Sequence, residues 1–263
     1  MRKHKTVPVK FPNRHGDLLS GRLELPVDRD ITHFGLFMHC FTCSKEFFAP
    51  AKTCKALADR GIAMLRFDFT GLGESGGSFA DSTFSTSLGD VLSAAAFLRE
   101  NYQAPSLLVG HSMGGAAALA ATRELGADIK AVATIGSPRD PGHVLRHFED
   151  HQQLLETDGK VELIVAGRQY FLKKEFFSDM ASHDVAQDTR DFGGAVFVFH
   201  APEDDMVDFS NAQVIYDRAT GPRFLISMDG ATHMLDKAED AALVADILSG
   251  WLQEGQEPLQ KTA

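Results

Sequence analysis

The segment Leu107-Leu108-Val109-Gly110-His111-Ser112-Met113-Gly114-Gly115-Ala116-Ala117-Ala118-Leu119 joins two runs of opposite character. Branched apolar residues come first and read as a buried strand. The Ala-rich run that follows reads as a helix. Between them Gly110, Ser112 and Gly114 spell G-x-S-x-G in the strand–turn–helix setting that makes this pattern informative. Such a turn is sharp and strained, so the Ser112 hydroxyl stands clear at the top of a sheet. Gly110 and Gly114 remove Cβ atoms where strand and helix pass closest. The helix N-terminus then turns the Met113 N–H toward a developing oxyanion. The plain alternative is a Gly-rich β–α turn with an incidental serine; the flanking strand and helix favour a nucleophile.

Working outward, strands and helices alternate on both sides. Residues 6–13 and 18–27 read as an antiparallel hairpin around Asn13–Asp17, because Leu19–Leu25 alternates apolar and polar at period two. Apolar strands are expected at 34–39, 62–69, 129–136, 194–200 and 223–228. Helical spacing covers 46–60, with Ser44 as its expected cap, and then 85–100, 211–219 and 238–252. This rhythm predicts an α/β fold with a mostly parallel central sheet covered on both faces. It breaks after Pro138. Residues 138–190 read as a small cap insertion with a helical piece and a hairpin, set over the carboxyl edge of the sheet. The whole chain, 1–263, reads as one domain.

Composition narrows the function. Formal net charge is −10 with scattered Lys and Arg, which argues against nucleic acid and against anionic membrane surfaces. No apolar run is long enough for a membrane span, and no signal-peptide core follows the basic first residues. A cytoplasmic location is expected. The chain is compatible with a homodimer.

Three cysteines speak against a disulfide framework. Cys40-Phe41-Thr42-Cys43 is a C-x-x-C that suits a redox pair, half a zinc site or plain packing. No second C-x-x-C completes a zinc site, so packing thiols without a redox role are expected. His143, His147 and His151 recur every four residues, but no further ligand completes a metal site. A solvated or cap-facing stripe is expected there. Gly71-Leu72-Gly73-Glu74-Ser75 lacks the lysine of a P-loop and reads as a structural turn.

A nucleophilic serine needs a base, and the base needs an orienting carboxylate. His39, Asp68, Ser112, Asp204 and His233 all fall just beyond expected strands, where functional groups gather in such sheets. Only Asp204 and His233 follow Ser112 in the order Ser…Asp…His.

Four stretches carry a resemblance: His39-Cys40-Phe41-Thr42-Cys43-Ser44-Lys45, Arg66-Phe67-Asp68-Phe69-Thr70-Gly71-Leu72-Gly73-Glu74-Ser75, Gly110-His111-Ser112-Met113-Gly114-Gly115 and Asp229-Gly230-Ala231-Thr232-His233. With them the chain resembles the α/β-hydrolase superfamily. More narrowly it is similar to the bacterial serine-hydrolase module found fused to OsmC-type domains, here expected without that partner domain. The resemblance implies a serine esterase acting on small acyl esters without a cofactor. It implies Ser112 as nucleophile and His233 as general base. An acid-loop pattern like H-G-x-x-D-x-x-V, here His200–Val207, selects Asp204, with Asp205 as near rival. An H-G pair normally precedes the first oxyanion donor. The pair here is His39-Cys40, which implies the Phe41 N–H, with the Met113 N–H as second donor. His111, His39, His200 and Asp68 are expected to be structural.

The cap supplies Phe148, Tyr170, Phe171, Phe176 and Phe177 as candidate substrate-binding aromatics. Closing over the site, they would bury an acyl group; the alternative is that they only hold the cap to the core. The ligand expected on these grounds is a small-molecule acyl ester. A thioesterase, peptidase or C–C hydrolase on the same triad, or a ligand-binding protein that has kept the fold and lost turnover, is the rival reading.

Overall fold

The computed structural model describes residues 3–143, 145, 159–165 and 168–254. Eight strands form one sheet: β1 (His4–Pro12), β2 (Leu18–Pro26), β3 (His33–Met38), β4 (Ile62–Phe67), β5 (Leu107–His111), β6 (Ala131–Ile135), β9 (Ala195–His200) and β10 (Arg223–Ser227). Their order is β1-β2-β4-β3-β5-β6-β9-β10. The β1–β2 and β2–β4 pairs are antiparallel and every other pair in this sheet is parallel. β7 (Lys160–Val165) and β8 (Arg168–Lys173) form a separate antiparallel pair, the hairpin expected within the insertion.

Period-two alternation divides each central strand between two cores. Leu36, Met38, Leu65, Phe67, Leu108 and Val132 face one side. That side is covered by α2 (Phe84–Asn101), α3 (Met113–Leu125) and α6 (Ser210–Arg218). Phe37, Ile62, Met64, Leu107, Val109 and Phe197 face the other, under α1 (Phe48–Ala58) and α7 (Ala238–Glu254). Both faces are therefore dry, as a parallel sheet requires. The chain after β8 also forms α4 (Lys174–Met180) and α5 (Val185–Asp191), and α5 packs on α3.

One local expectation changes. Ser44 does not cap α1. That helix starts later, after Phe47, and the Ser44 carbonyl instead accepts the Phe47 N–H at 3.1 Å. Side-chain caps are found instead on α2, where Thr83 accepts the Thr86 N–H at 3.1 Å, and at the helix Val185–Asp191, where Asp184 accepts the Gln187 N–H at 3.0 Å. His147, His151 and the helical piece expected around them lie outside the described residues. His143 is described, and its Nε2 lies 3.3 Å from the Met206 carbonyl. Among the described residues no group of three His, Cys, Asp or Glu could hold a metal ion, and no helix is long and apolar enough to cross a membrane.

The loop after β4 is tied to α2 by a buried carboxylate. Asp90 accepts the Thr70 N–H at 2.7 Å and the Thr70 hydroxyl at 2.9 Å. Burial pushes its carboxyl up to about 6 in spite of these bonds. The folded state then holds a proton that the unfolded chain has already released, so this stabilisation is full below the unfolded carboxyl range and lost as pH rises through about 6. Denaturant unfolding should show wild type gaining about 2–3 kcal/mol relative to Asp90→Asn between about pH 7.5 and pH 4. A difference independent of pH contradicts the assignment.

Candidate active site

β5 runs into α3 through one residue. Ser112 has φ 54 and ψ −124, a left-handed conformation that is unfavourable for a residue with a side chain. Its N–H donates to the Ile135 carbonyl at 2.8 Å, which fixes the turn to β6. A Cβ on Gly110 would overlap the Gly114 carbonyl, and one on Gly114 would overlap the carbonyls of Met38 and His39. The two glycines thus let α3 start directly against the ends of β5 and β3. Met113 is the first residue of α3, so its N–H has no intrahelical acceptor.

Asp204 and His233, the expected acid and base, lie on the loops after β9 and β10. His233 Nδ1–H donates to Asp204 Oδ2 at 2.7 Å, and that carboxylate side chain is 1% exposed. Asp204 Oδ1 accepts the Met206 and Val207 N–H groups at 2.9 and 2.8 Å. Burial opposes ionisation of Asp204. The bonds from His233, Val207 and Met206 outweigh it and hold the carboxyl below its ordinary range. Asp205, the near rival, is exposed. A Cβ on Gly136, one residue past the Ile135 that anchors Ser112, would lie 3.1 Å from Asp204 Oδ2 and 3.3 Å from His233 Nδ1. The Ser112 turn, Asp204 and His233 therefore lie together at the sheet edge. Among the described residues no hydrogen bond joins Ser112 Oγ to His233; catalytic contacts of this kind commonly tighten only around substrate.

Histidines expected to be structural hold this arrangement. His111 Nε2–H donates to the His233 carbonyl at 2.7 Å, so the end of β5 grips the backbone of His233. Burial, and the positive charge on His233 when it is protonated, push His111 down to about 4. It therefore stays a neutral strut at working pH. His200 Nε2–H donates to the Val207 carbonyl at 2.8 Å and steadies the acid loop. The sequence offered no signal for the His111 contact, which spans 122 positions.

The loop after β3 presents Phe41 beside Met113; both line one pocket with Cys40, Phe69, Phe79 and Phe176. Among the described residues the Phe41 N–H has no acceptor, as an oxyanion donor requires. Beneath it, His39 Nδ1–H donates to the Cys40 carbonyl at 2.8 Å and Nε2 accepts the Phe69 N–H at 3.3 Å. Burial lowers the His39 pKa, favouring the neutral ring that these two bonds need. Asp68 organises the loop from below: Oδ1 accepts the Lys45 N–H and Oδ2 the Lys45 ammonium, both at 2.6 Å. Lys45 and Asp68 are 1% and 0% exposed, and Glu74 shares the ammonium at 2.7 Å.

One expectation is overturned here. Cys40 and Cys43 are not packing thiols but a disulfide. The count of three cysteines argued against a framework, yet a bond across two residues needs no framework. Cys54 alone is free, and burial pushes its thiol pKa well above the ordinary range.

The cap aromatics divide. Phe176 is 2% exposed and lines the pocket, its ring centroid 5.6 Å from that of Phe41. Tyr170 is one ring further out, against Phe79 at 5.0 Å, and Phe177 backs Phe176 at 5.6 Å. Phe171 alternates onto the other face of the hairpin, where Lys160 Nζ sits 4.6 Å from its ring centre. Phe148 lies outside the described residues.

Against known proteins, residues 36–249 match the model of the alpha/beta hydrolase family. The chain belongs to that family. Over 95% of its length this alpha/beta hydrolase superimposes on 98% of the esterase domain of a Rhodothermus marinus protein, at 36% identity and a TM-score of 0.76. It is 26% identical over 210 residues to mouse mitochondrial palmitoyl-protein thioesterase ABHD10, covering 76% of this chain and 67% of that one. The mouse ABHD10 structure itself superimposes at TM-score 0.78 and 19% identity, over 95% of this chain and all of that one, a likeness of fold. Hydrolase activity is thus supported, with esterase and thioesterase relatives.

If Asp204 orients the base, Asp204→Asn should lower kcat by about 10⁴, the size of loss known when a triad aspartate becomes asparagine. Asp205→Asn should change it little. Steady-state kinetics on a p-nitrophenyl ester decide; the reverse ranking contradicts the geometry.

Proposed function

We propose that this hydrolase is a serine carboxylesterase for small or compact acyl esters, working through Ser112, His233 and Asp204. The observation that carries the reading is the 2.7 Å Asp204–His233 hydrogen bond at the foot of a strained serine elbow. In the cycle His233 takes the Ser112 proton as the hydroxyl attacks the acyl carbonyl. The Phe41 and Met113 amides receive the oxyanion, each worth about 3 kcal/mol to the transition state. Asp204 keeps the His233 Nδ1 proton in place and stabilises the imidazolium. His233 then protonates the leaving alcohol, and water repeats the sequence on the acyl-enzyme. No step calls for a cofactor.

The preference for compact acyl groups follows from the pocket. Its walls are Phe41, Phe69, Phe79 and Phe176, with Ala117 and Met180 behind. Phe41 touches both Phe79 and Phe176, so the oxyanion loop and the cap close on each other across the cavity. Burying a short acyl chain there gains roughly 25 cal/mol per Å², until further methylenes must part these rings. A thioester leaving group is the second reading, favoured by the likeness to the ABHD10 thioesterase; the acyl-enzyme chemistry is the same. The narrower likeness to the hydrolase module of OsmC-type fusion proteins rests on the four motif stretches.

A fluorophosphonate should label wild type and fail on Ser112→Ala. Across p-nitrophenyl esters from acetate to palmitate, kcat/KM should peak at short chains. Labelling that survives in Ser112→Ala contradicts the nucleophile. A steady rise to palmitate contradicts the compact pocket.

A further inference from the structure

The Cys40–Cys43 disulfide encloses Phe41 and Thr42 and nothing else. The ring it closes is a tight turn, with the Cys43 N–H donating to the Cys40 carbonyl at 3.2 Å. Thr42 occupies the third position of that turn at φ 58. This is the conformation that such turns normally give to glycine, and a β-branched residue holds it only when its surroundings over-determine it. Phe41, one residue earlier, carries the amide that the proposed cycle aims at the oxyanion. An oxyanion donor acts by being fixed before the charge appears, so an amide free to swing away loses most of its effect. The cross-link thus spans the one donor that sits on a loop. The other donor, Met113, is fixed by α3.

We propose that the Cys40–Cys43 bond is a reversible positioning device for the Phe41 amide, and that the pair is a thiol–disulfide exchange site for small dithiols. This rests on the esterase reading above. Cys40 is among the residues lining the proposed acyl pocket and Cys40 and Cys43 are 7% and 8% exposed, so the exchange proposed here has the dithiol approach Cys40 from the pocket side. In the exchange, a thiolate of the reagent attacks one cysteine sulfur and the other cysteine leaves as thiolate. The second thiol of the reagent then closes the reagent's own disulfide and releases the first cysteine. Two electrons and two protons pass to the protein, leaving two Cys thiols and one oxidised dithiol. The reduced turn keeps its backbone hydrogen bond but loses the covalent restraint on Thr42 and Phe41. The lost restraint acts on transition-state binding, so kcat falls while KM stays.

The test uses the full chain, oxidised and then reduced with dithiothreitol without air. Alkylation and intact-mass measurement count the free thiols, and kinetics on p-nitrophenyl acetate give kcat and KM. Counted after denaturation, because Cys54 is buried in the fold, the oxidised protein should show Cys54 as its one free thiol. Reduction should free two more thiols, lower kcat about tenfold at near-constant KM and leave the circular dichroism spectrum unchanged; reoxidation should restore the rate. The double variant Cys40→Ala/Cys43→Ala should sit at the reduced rate and ignore dithiothreitol, whereas Cys54→Ala should keep the redox response. The proposal is overturned if three thiols alkylate under mild oxidation, if kcat is indifferent to the two freed thiols, or if activity falls only as the fold is lost. An oxidised protein with no Ser112-dependent turnover overturns the esterase reading as well; Ser112-dependent turnover that ignores redox state overturns this inference alone.

Discussion

The backbone of Ser112 sits at φ 54 and ψ −124 because it is held from three sides. Its N–H is bound to Ile135, Gly110 lets the chain double back against Gly114, and Gly114 lets α3 abut the ends of β3 and β5. A strained residue of this sort persists only where its neighbours fix it, and here the neighbours are the central strands of the sheet. The loops that carry the other groups hang on the same point. The residue before Ser112, His111, holds the carbonyl of His233, and the residue after Ile135, Gly136, lies against Asp204 and His233. The site is therefore a property of the sheet edge and not of any one loop.

A second constraint fixes the loop after β3. Lys45 and Asp68 are buried together and joined twice, and Arg66 is paired with buried Glu24 and with Glu46. Such pairs contribute little net stability, since the cost of desolvation offsets the attraction. What they supply here is registry. Asp68 takes the backbone of Lys45 on one side and that of Glu74 on the other, at 2.6 and 2.8 Å. It thereby locks the loop after β3 to the loop after β4. The Phe41 amide inherits its position from that lock, and the disulfide adds the last local restraint.

The sheet was legible because its signals are local. Alternation in β2, continuous apolar runs in β3 to β6 and the glycine spacing around Ser112 each reside within a dozen residues. The loop of the proposed acid was also legible as a local pattern, because Asp204 binds the N–H groups of its own loop two and three residues on. The supports were not. His111 meets His233, and Lys45 meets Asp68 and Glu74, across separations that no local pattern encodes. The cysteines were misread for a different reason: a count of three says nothing about whether two of them face each other across one turn. Phe171 shows the limit of composition, since its aromatic ring counts toward a pocket but its strand parity turns it outward.

Under the proposed cycle this hydrolase turns over esters through a covalent acyl group on Ser112. Rapid quenching during the first turnover of p-nitrophenyl acetate, followed by peptide mass mapping, tests it most directly. The expected result is a burst of about one equivalent of p-nitrophenol and an acetyl group on the peptide that carries Ser112. Turnover with no acyl-enzyme, or with the acetyl group on another residue, contradicts it.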